Sequence, residues 1–178
     1  MKYIFVDLDK TFIKKDITLY LFFKLLKKNF LSAMYALFVL SVYGEMHLKK
    51  YLSKFIYLID FEYIDTLVNK KILSFLEKKE SEVKIVLATG AHIKIAKKIT
   101  ERYLIFEKWV IATDKINCVG LNKLTEIKKN IAGEAFMYIG DEWIDFPIWE
   151  EAFAIGIVTK DRKLLSTVKN LSKKVTVF

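Results

Sequence analysis

The sequence predicts an α/β domain: a parallel sheet with helices on both faces, interrupted once by an all-helical insertion. Three observations carry this. Short, continuous apolar runs rich in β-forming residues recur along the chain, as strands covered on both faces require. Patterns with helical period separate them, which makes βαβ units. Between the first two runs, residues 16–79 carry helical patterns alone.

The first strand is "YIFVD" at 3–7, the second "VKIVLAT" at 83–89, the third "AFMYIGD" at 135–141 and the fourth "AFAIGIV" at 152–158, with the C-terminal "KVTVF" closing an edge. Helices are expected from Ala91 ("AHIKIAKKITERY"), from Gly120 ("GLNKLTEIKKNI") and from Glu142 ("EWIDFPIWEEA"), the last with the single proline, Pro147, within a turn of its start, where proline is tolerated. The insertion reads as helices over 17–28, 30–43, 47–58 and 63–80. The core therefore comprises 1–15 and 80–178, and the insertion 16–79 sits above the carboxyl ends of the strands, where open α/β sheets bind ligands. A chain of 178 residues is one domain's worth, and 53% apolar residues exclude disorder.

The net charge of +9 comes almost wholly from lysine, Arg102 and Arg162 being the two arginines. The bidentate contacts favoured at nucleic-acid interfaces are thus scarce, and no nucleic-acid partner is expected. An anionic substrate or a membrane surface makes better use of the charge. The single cysteine, Cys118, forms no intramolecular disulfide, and the N-terminus has no signal-peptide pattern, so the cytoplasm is the expected location. The uncharged stretch "FLSAMYALFVLSVY" is 14 residues long, whereas a spanning helix needs about 20. It reads as a buried or half-buried helix, or as a cap surface in peripheral contact with membrane.

The chemistry lies at the strand ends. Asp7 and Asp9 follow the first strand, Thr89-Gly90 ends the second, and Asp141 ends the third with Asp145 four residues on. Parallel strands bring these groups to one sheet edge. Carboxylates gathered there raise one another's pKa values unless a cation intervenes. Mg²⁺, which takes one or two carboxylates and keeps waters and phosphate oxygens, is the natural choice. With it, Asp7 is usable as a nucleophile on phosphorus and Asp9 as general acid and then base. Thr89 offers a hydroxyl and Gly90 a backbone N–H to the phosphoryl oxygens, and a lysine is wanted for the charge of transfer.

"DLDKT", "LATG" and "GDEWID" resemble the first, second and fourth motifs of the haloacid dehalogenase (HAD) superfamily of phosphotransferases, in order and along the whole chain. The resemblance is closest to its phosphoserine-phosphatase-like branch, and within that to the HAD domains fused to membrane prenyltransferases. It implies a Rossmannoid core with an all-helical cap and a Mg²⁺-dependent phosphatase working through an aspartyl-phosphate. Asp7 would be nucleophile and metal ligand, Asp9 acid/base and, through its carbonyl, metal ligand, and Asp141 the remaining ligand. Asp145 would orient metal waters or the motif lysine, and Thr89 would hold the phosphoryl group.

The third motif departs from the pattern: "NCVGLNK" has Val119 where related chains carry their lysine. Lys123, four positions on, lies on the same helix face and is the first choice, with Lys115 second. Asp16 occupies the place where phosphoserine phosphatases read the substrate amine, but the cap has no arginine for a carboxylate, which argues against phosphoserine. The candidate substrates are lipid-linked, sugar or other small-molecule phosphates. A phosphomutase uses the same acids. A receiver-like signalling module also combines acids, a hydroxyl and a lysine, but its phosphorylated aspartate does not end the first strand and it lacks a long helical insertion. His92 and His47 read as capping or solvated residues, and Trp143 and Trp149 as packing residues.

Overall fold

The computed structural model describes all residues, Met1–Phe178. Six parallel strands, β1 (Tyr3–Val6), β2 (Lys84–His92), β3 (Ile111–Thr113), β4 (Phe136–Gly140), β5 (Ala154–Ile157) and β6 (Lys174–Val177), form one sheet in the order β3-β2-β1-β4-β5-β6. The chain leaves β1 toward β2 on one side and returns to β4 on the other. The crevice beyond the carboxyl ends of β1 and β4 is thus the switch point where such sheets take ligands.

Alternation along β1 divides the core. Ile4 and Val6 face a layer shared with the insertion and α6 (Ile93–Arg102), while Phe5 faces α7 (Gly120–Ile131), α8 (Phe146–Glu151) and α9 (Arg162–Lys169). Each face is fully buried, which is why these strands read as unbroken apolar runs. β3 was not anticipated: three residues are too few to leave a periodic signal. β2 also runs past Thr89-Gly90 to His92, with a register shift against β3 between Thr89 and His92.

The insertion opens with α1 (Ile17–Lys28) and α2 (Phe30–Tyr43) as expected. Asp16 caps α1 by accepting from Leu19 N–H at 2.8 Å, and Asn29, the one residue between the helices, accepts from Ser32 N–H at 3.0 Å. Gly44 (φ 81°) ends α2 and begins α3 (Glu45–Leu52), which gives way to a 3-10 segment over Ser53–Leu58, with Phe55 non-helical. The expected helix over 63–80 is two: α4 (Phe61–Thr66) and α5 (Lys70–Glu77). Between them the chain re-enters the core. Lys14 N–H donates to Leu67 O, Asn69 N–H donates to Phe12 O, and Val68 bridges Ile13. A helix through 67–69 could not make those bonds, since its amides would be turned inward. The cap therefore ends near Thr66, and α5 stands on the sheet, with Phe75 against Phe178. The expected helix from Glu142 likewise divides into a 3-10 turn, Trp143–Asp145, and α8, with Pro147 in its first turn.

Candidate active site

Asp7 continues β1, its N–H donating to Ile139 O at 2.8 Å. By strand parity it lies on the Phe5 side of the sheet, facing α7. The chain then turns sharply at Lys10, whose φ of 58° is left-handed and costly for a side chain with Cβ. Phe12 N–H donating to Asp7 O and Ile13 N–H donating to Leu8 O hold that turn. It carries Asp9 over the crevice, where its Oδ1 accepts from Ile17 N–H at 2.7 Å.

From α7, Lys123 crosses to Asp7. Its Nζ donates to Asp7 Oδ1 and to Tyr138 Oη, each at 2.7 Å, and reaches Asp145 Oδ1 at 3.4 Å. All three ammonium donors are thereby engaged. Tyr138 Oη donates to Asp145 Oδ1 at 2.7 Å, and Asp141 N–H donates to Asp145 Oδ2 at 3.2 Å. Of the two lysines considered in place of Val119, Lys123 is the one that meets Asp7, while Lys115 is exposed on the loop. Asp145 is 2% exposed and is no solvated helix residue. Gly140 makes this network fit: a Cβ there would strike Asp145 Oδ2 and come within 2.7 Å of Tyr138 Cε1.

Asp141 Oδ1 accepts from Thr11 Oγ1 at 3.0 Å. Gly90 lines the cavity beside Asp7. Thr89 does not: its side chain is fully buried, and its Oγ1 accepts from Ala91 N–H at 3.0 Å. The continuation of β2 beyond Thr89 turns the hydroxyl inward, so holding a phosphoryl group would require it to rotate. Asp16 lines the cavity while its Oδ1 serves as the α1 cap. His92 caps α6, His47 bonds the Tyr43 carbonyl, Trp149 is core, and Trp143 donates to Asp161.

Sequence reasoning passed over Lys49. It is 6% exposed, its Nζ donating to Glu45 Oε1 at 2.7 Å and to Asn117 Oδ1 at 3.2 Å, with one donor left for the cavity. A Cβ on Gly90 would lie 3.5 Å from its Nζ. Spacing held the signal: Glu45, Lys49 and Leu52 share one face of α3.

A cavity of about 400 Å³ lies between cap and sheet. Asp7, Asp9, Asp141, Lys49 and Lys123 give it a charged floor, and Leu19, Phe22, Leu37, Leu40, Leu48 and Leu52 give it an apolar roof.

Burial pushes the Asp7 carboxyl up to about 6, against the pull of Lys123 and with the repulsion of Asp145. Asp9 is raised well above the usual range, by burial first and then by Asp16 and Asp7. Asp141 is pushed up to about 8 by burial and by Asp7 and Asp145. For Lys123 burial acts downward, but Asp7 and Asp145 outweigh it and the ammonium is held protonated. Of the two buried cations at the cavity, Lys49 is already paired with Glu45 and Lys123 with Asp7 and Asp145, so Asp9 and Asp141 have no cationic partner of their own and a further positive charge fits the place. No three His, Cys, Asp or Glu side chains form a ready cage. The fitting donors are instead the Asp7 and Asp141 carboxylates with the Asp9 carbonyl, which accepts no backbone hydrogen bond. That sparse, all-oxygen set suits a Mg²⁺ that keeps its waters and not a zinc.

Asp7 and Asp141 have folded pKa values above the unfolded value, so the metal-free fold holds more protons than the unfolded chain between pH 4 and 8. Its stability is then expected to fall as pH rises through that window. Mg²⁺ at a hundredfold excess over its Kd should add about 2.7 kcal/mol near pH 8, roughly 5–10 °C in Tm, and much less at pH 5, where protons compete. Thermal melts with and without Mg²⁺ check this; a Tm indifferent to Mg²⁺ at pH 8 would remove the metal from the site.

No protein-family model matches the chain, and no curated protein does. Solved structures share its fold. A phosphoserine phosphohydrolase-like protein from Francisella tularensis superposes with TM-score 0.68 at 20% identity, over 99% of this chain and 95% of that one. A haloacid dehalogenase-like hydrolase from Streptococcus pneumoniae gives 0.63 at 14%, over 99% and 93%. A phosphoserine phosphatase captured as a phospho-aspartyl intermediate analogue gives 0.51 at 13%, over 98% and 92%. The architecture is that of the HAD hydrolases.

Proposed function

We propose that this chain, built on the HAD hydrolase fold, is a Mg²⁺-dependent phosphomonoester phosphatase that works through a phosphoryl group carried on Asp7. The observation that carries the reading is the Lys123 ammonium held 2.7 Å from Asp7 Oδ1 beneath the cap. That contact leaves Oδ2 as the attacking atom. Asp7 Oδ2 forms a bond to phosphorus as the bond to the ester oxygen breaks, and Asp9 delivers a proton to that departing oxygen. Asp9 suits the acid role, since burial and its neighbours favour its protonated form and its Oδ1 is fixed by Ile17 N–H. Asp9, now a carboxylate, takes a proton from the water that attacks phosphorus, and inorganic phosphate leaves with Asp7 restored. Mg²⁺, when bound, supplies charge neutralisation for the phosphoryl oxygens. Asp145 and Tyr138 keep Lys123 aimed at Asp7, while the Gly90 amide and the free donor of Lys49 face the substrate anion.

The apolar roof favours a phosphate attached to a large apolar group over a small polar one, because a hydrated head would leave Leu37, Leu40 and Leu52 unmatched. A phosphate-release screen on the purified protein with Mg²⁺ tests both halves. Esters with isoprenoid or alkyl tails are expected to turn over with higher kcat/KM than phosphoserine or sugar phosphates. Turnover of small polar esters alone would sink the substrate class, and isomer formation without phosphate release would replace the phosphatase with a mutase.

A further inference from the structure

The large side chains of α2 point the wrong way for a helix facing water. Its inner face is a stripe of Ala33, Ala36 and Val39, while Phe30 (62% exposed), Leu31 (79%), Tyr35 (50%) and Phe38 (53%) stand outward. Val42 and Tyr43 continue the exposed surface toward Gly44, and Phe23 of α1 extends it sideways. An exposed apolar face of this extent on a soluble domain marks a surface that something covers.

Charge identifies the cover. From Ile17 to Leu58 the chain holds six lysines and a single acid, Glu45, whose carboxylate is paired with Lys49. Lys27 and Lys28 end α1 directly beside Phe30 and Leu31. Lys24 and Lys28 stand over the rings of Tyr20 and Tyr57, and Lys54 over Tyr51, which packs on Tyr35 of α2. An apolar helix rimmed by lysines and aromatic rings matches the interface of a bilayer carrying anionic lipids. A second copy of the same face would instead bring lysines against lysines. No helix is long and apolar enough to cross a membrane. At a rise of about 1.5 Å per residue, α2 reaches only two thirds of a hydrocarbon core, so it would lie along the surface.

We infer that the outer face of α2, with Phe23 and the lysines of α1 and the 3-10 segment, docks on an anionic membrane surface. Leu37 and Leu40 both line the active cavity and reach the outer face. Docking would therefore set the apolar wall of the cavity at the bilayer. The inference stands apart from the phosphatase reading, since docking is read without any substrate.

Flotation of the whole chain with vesicles tests it. Vesicles of phosphatidylcholine with phosphatidylglycerol are expected to carry several-fold more protein than phosphatidylcholine alone, and high salt should remove the excess. Phe38→Ser and Leu31→Ser, both at exposed positions, should each cut flotation several-fold with an unchanged Tm, and the double variant Lys27→Glu/Lys28→Glu should lose the preference for anionic lipid. Protein that floats with neither vesicle overturns the inference. So does a dimer in sedimentation equilibrium that Phe38→Ser converts to monomer.

Discussion

Replacing Asp7 with Asn is expected to reduce phosphate release below roughly one-thousandth of the unmodified protein, in line with the loss of a nucleophile elsewhere. The amide cannot attack phosphorus, but its oxygen can still accept from Lys123, so the fold should persist and Tm should change little. Phosphate release and acid-trapped phosphoprotein would both be measured, and the variant should show neither. Full turnover by Asp7→Asn would remove Asp7 from the nucleophile's role, and with it the proposed reaction.

Lys123→Met should have the second large effect, and it should act on stability as well as on rate. The ammonium is 3% exposed and answers Asp7, Asp145 and Tyr138 together. Removing one member of a buried ion pair costs about 3–5 kcal/mol, because the partner charge is left uncompensated. For a chain of this size that is roughly 10 °C or more in Tm. Turnover should fall at least ~100-fold, as for loss of an electrostatic group aimed at developing charge. Lys115→Met, on the exposed loop, should match the unmodified protein in both measurements. A Lys123 variant with unchanged rate and melting point would show that another group meets the charge of transfer.

How much of this was legible in the sequence varies with the range of the forces involved. The first two cap helices could be read residue by residue, because Asp16, Asn29 and Gly44 punctuate them with caps that act within one turn. The later cap helices could not. What breaks 63–80 is pairing of Leu67–Asn69 with Lys14 and Phe12, more than fifty residues away. The acids are legible from their place after apolar strands, and the helical offset from Val119 points to the lysine that contacts Asp7. In the sequence β2 reads as ending at Thr89, which would put its hydroxyl at the sheet edge facing a phosphoryl group. The strand's continuation to His92 depends on a neighbour, β3, too short to be seen. Lys49 was passed over because a lysine on a cap helix looks like any solvated lysine until Glu45, Asn117 and the core close around it.

By itself the sequence determined the parallel sheet, the insertion after its first strand, and the gathering of Asp7, Asp9 and Asp141 at one edge. These follow from local periodicity and from the single direction of parallel strands, which needs no knowledge of packing. The tertiary structure alone decided which cations meet those acids and what lies above them. Lys123 reaches Asp7 because α7 packs on the Phe5 face and Gly140 leaves room for Asp145 to fold in behind it. The large apolar residues of α2 face outward because its alanines, not its phenylalanines, fit the close approach of α1 and α3. Both outcomes depend on which surfaces pack together, and a one-dimensional pattern records spacing along a chain but not the partner on the other side.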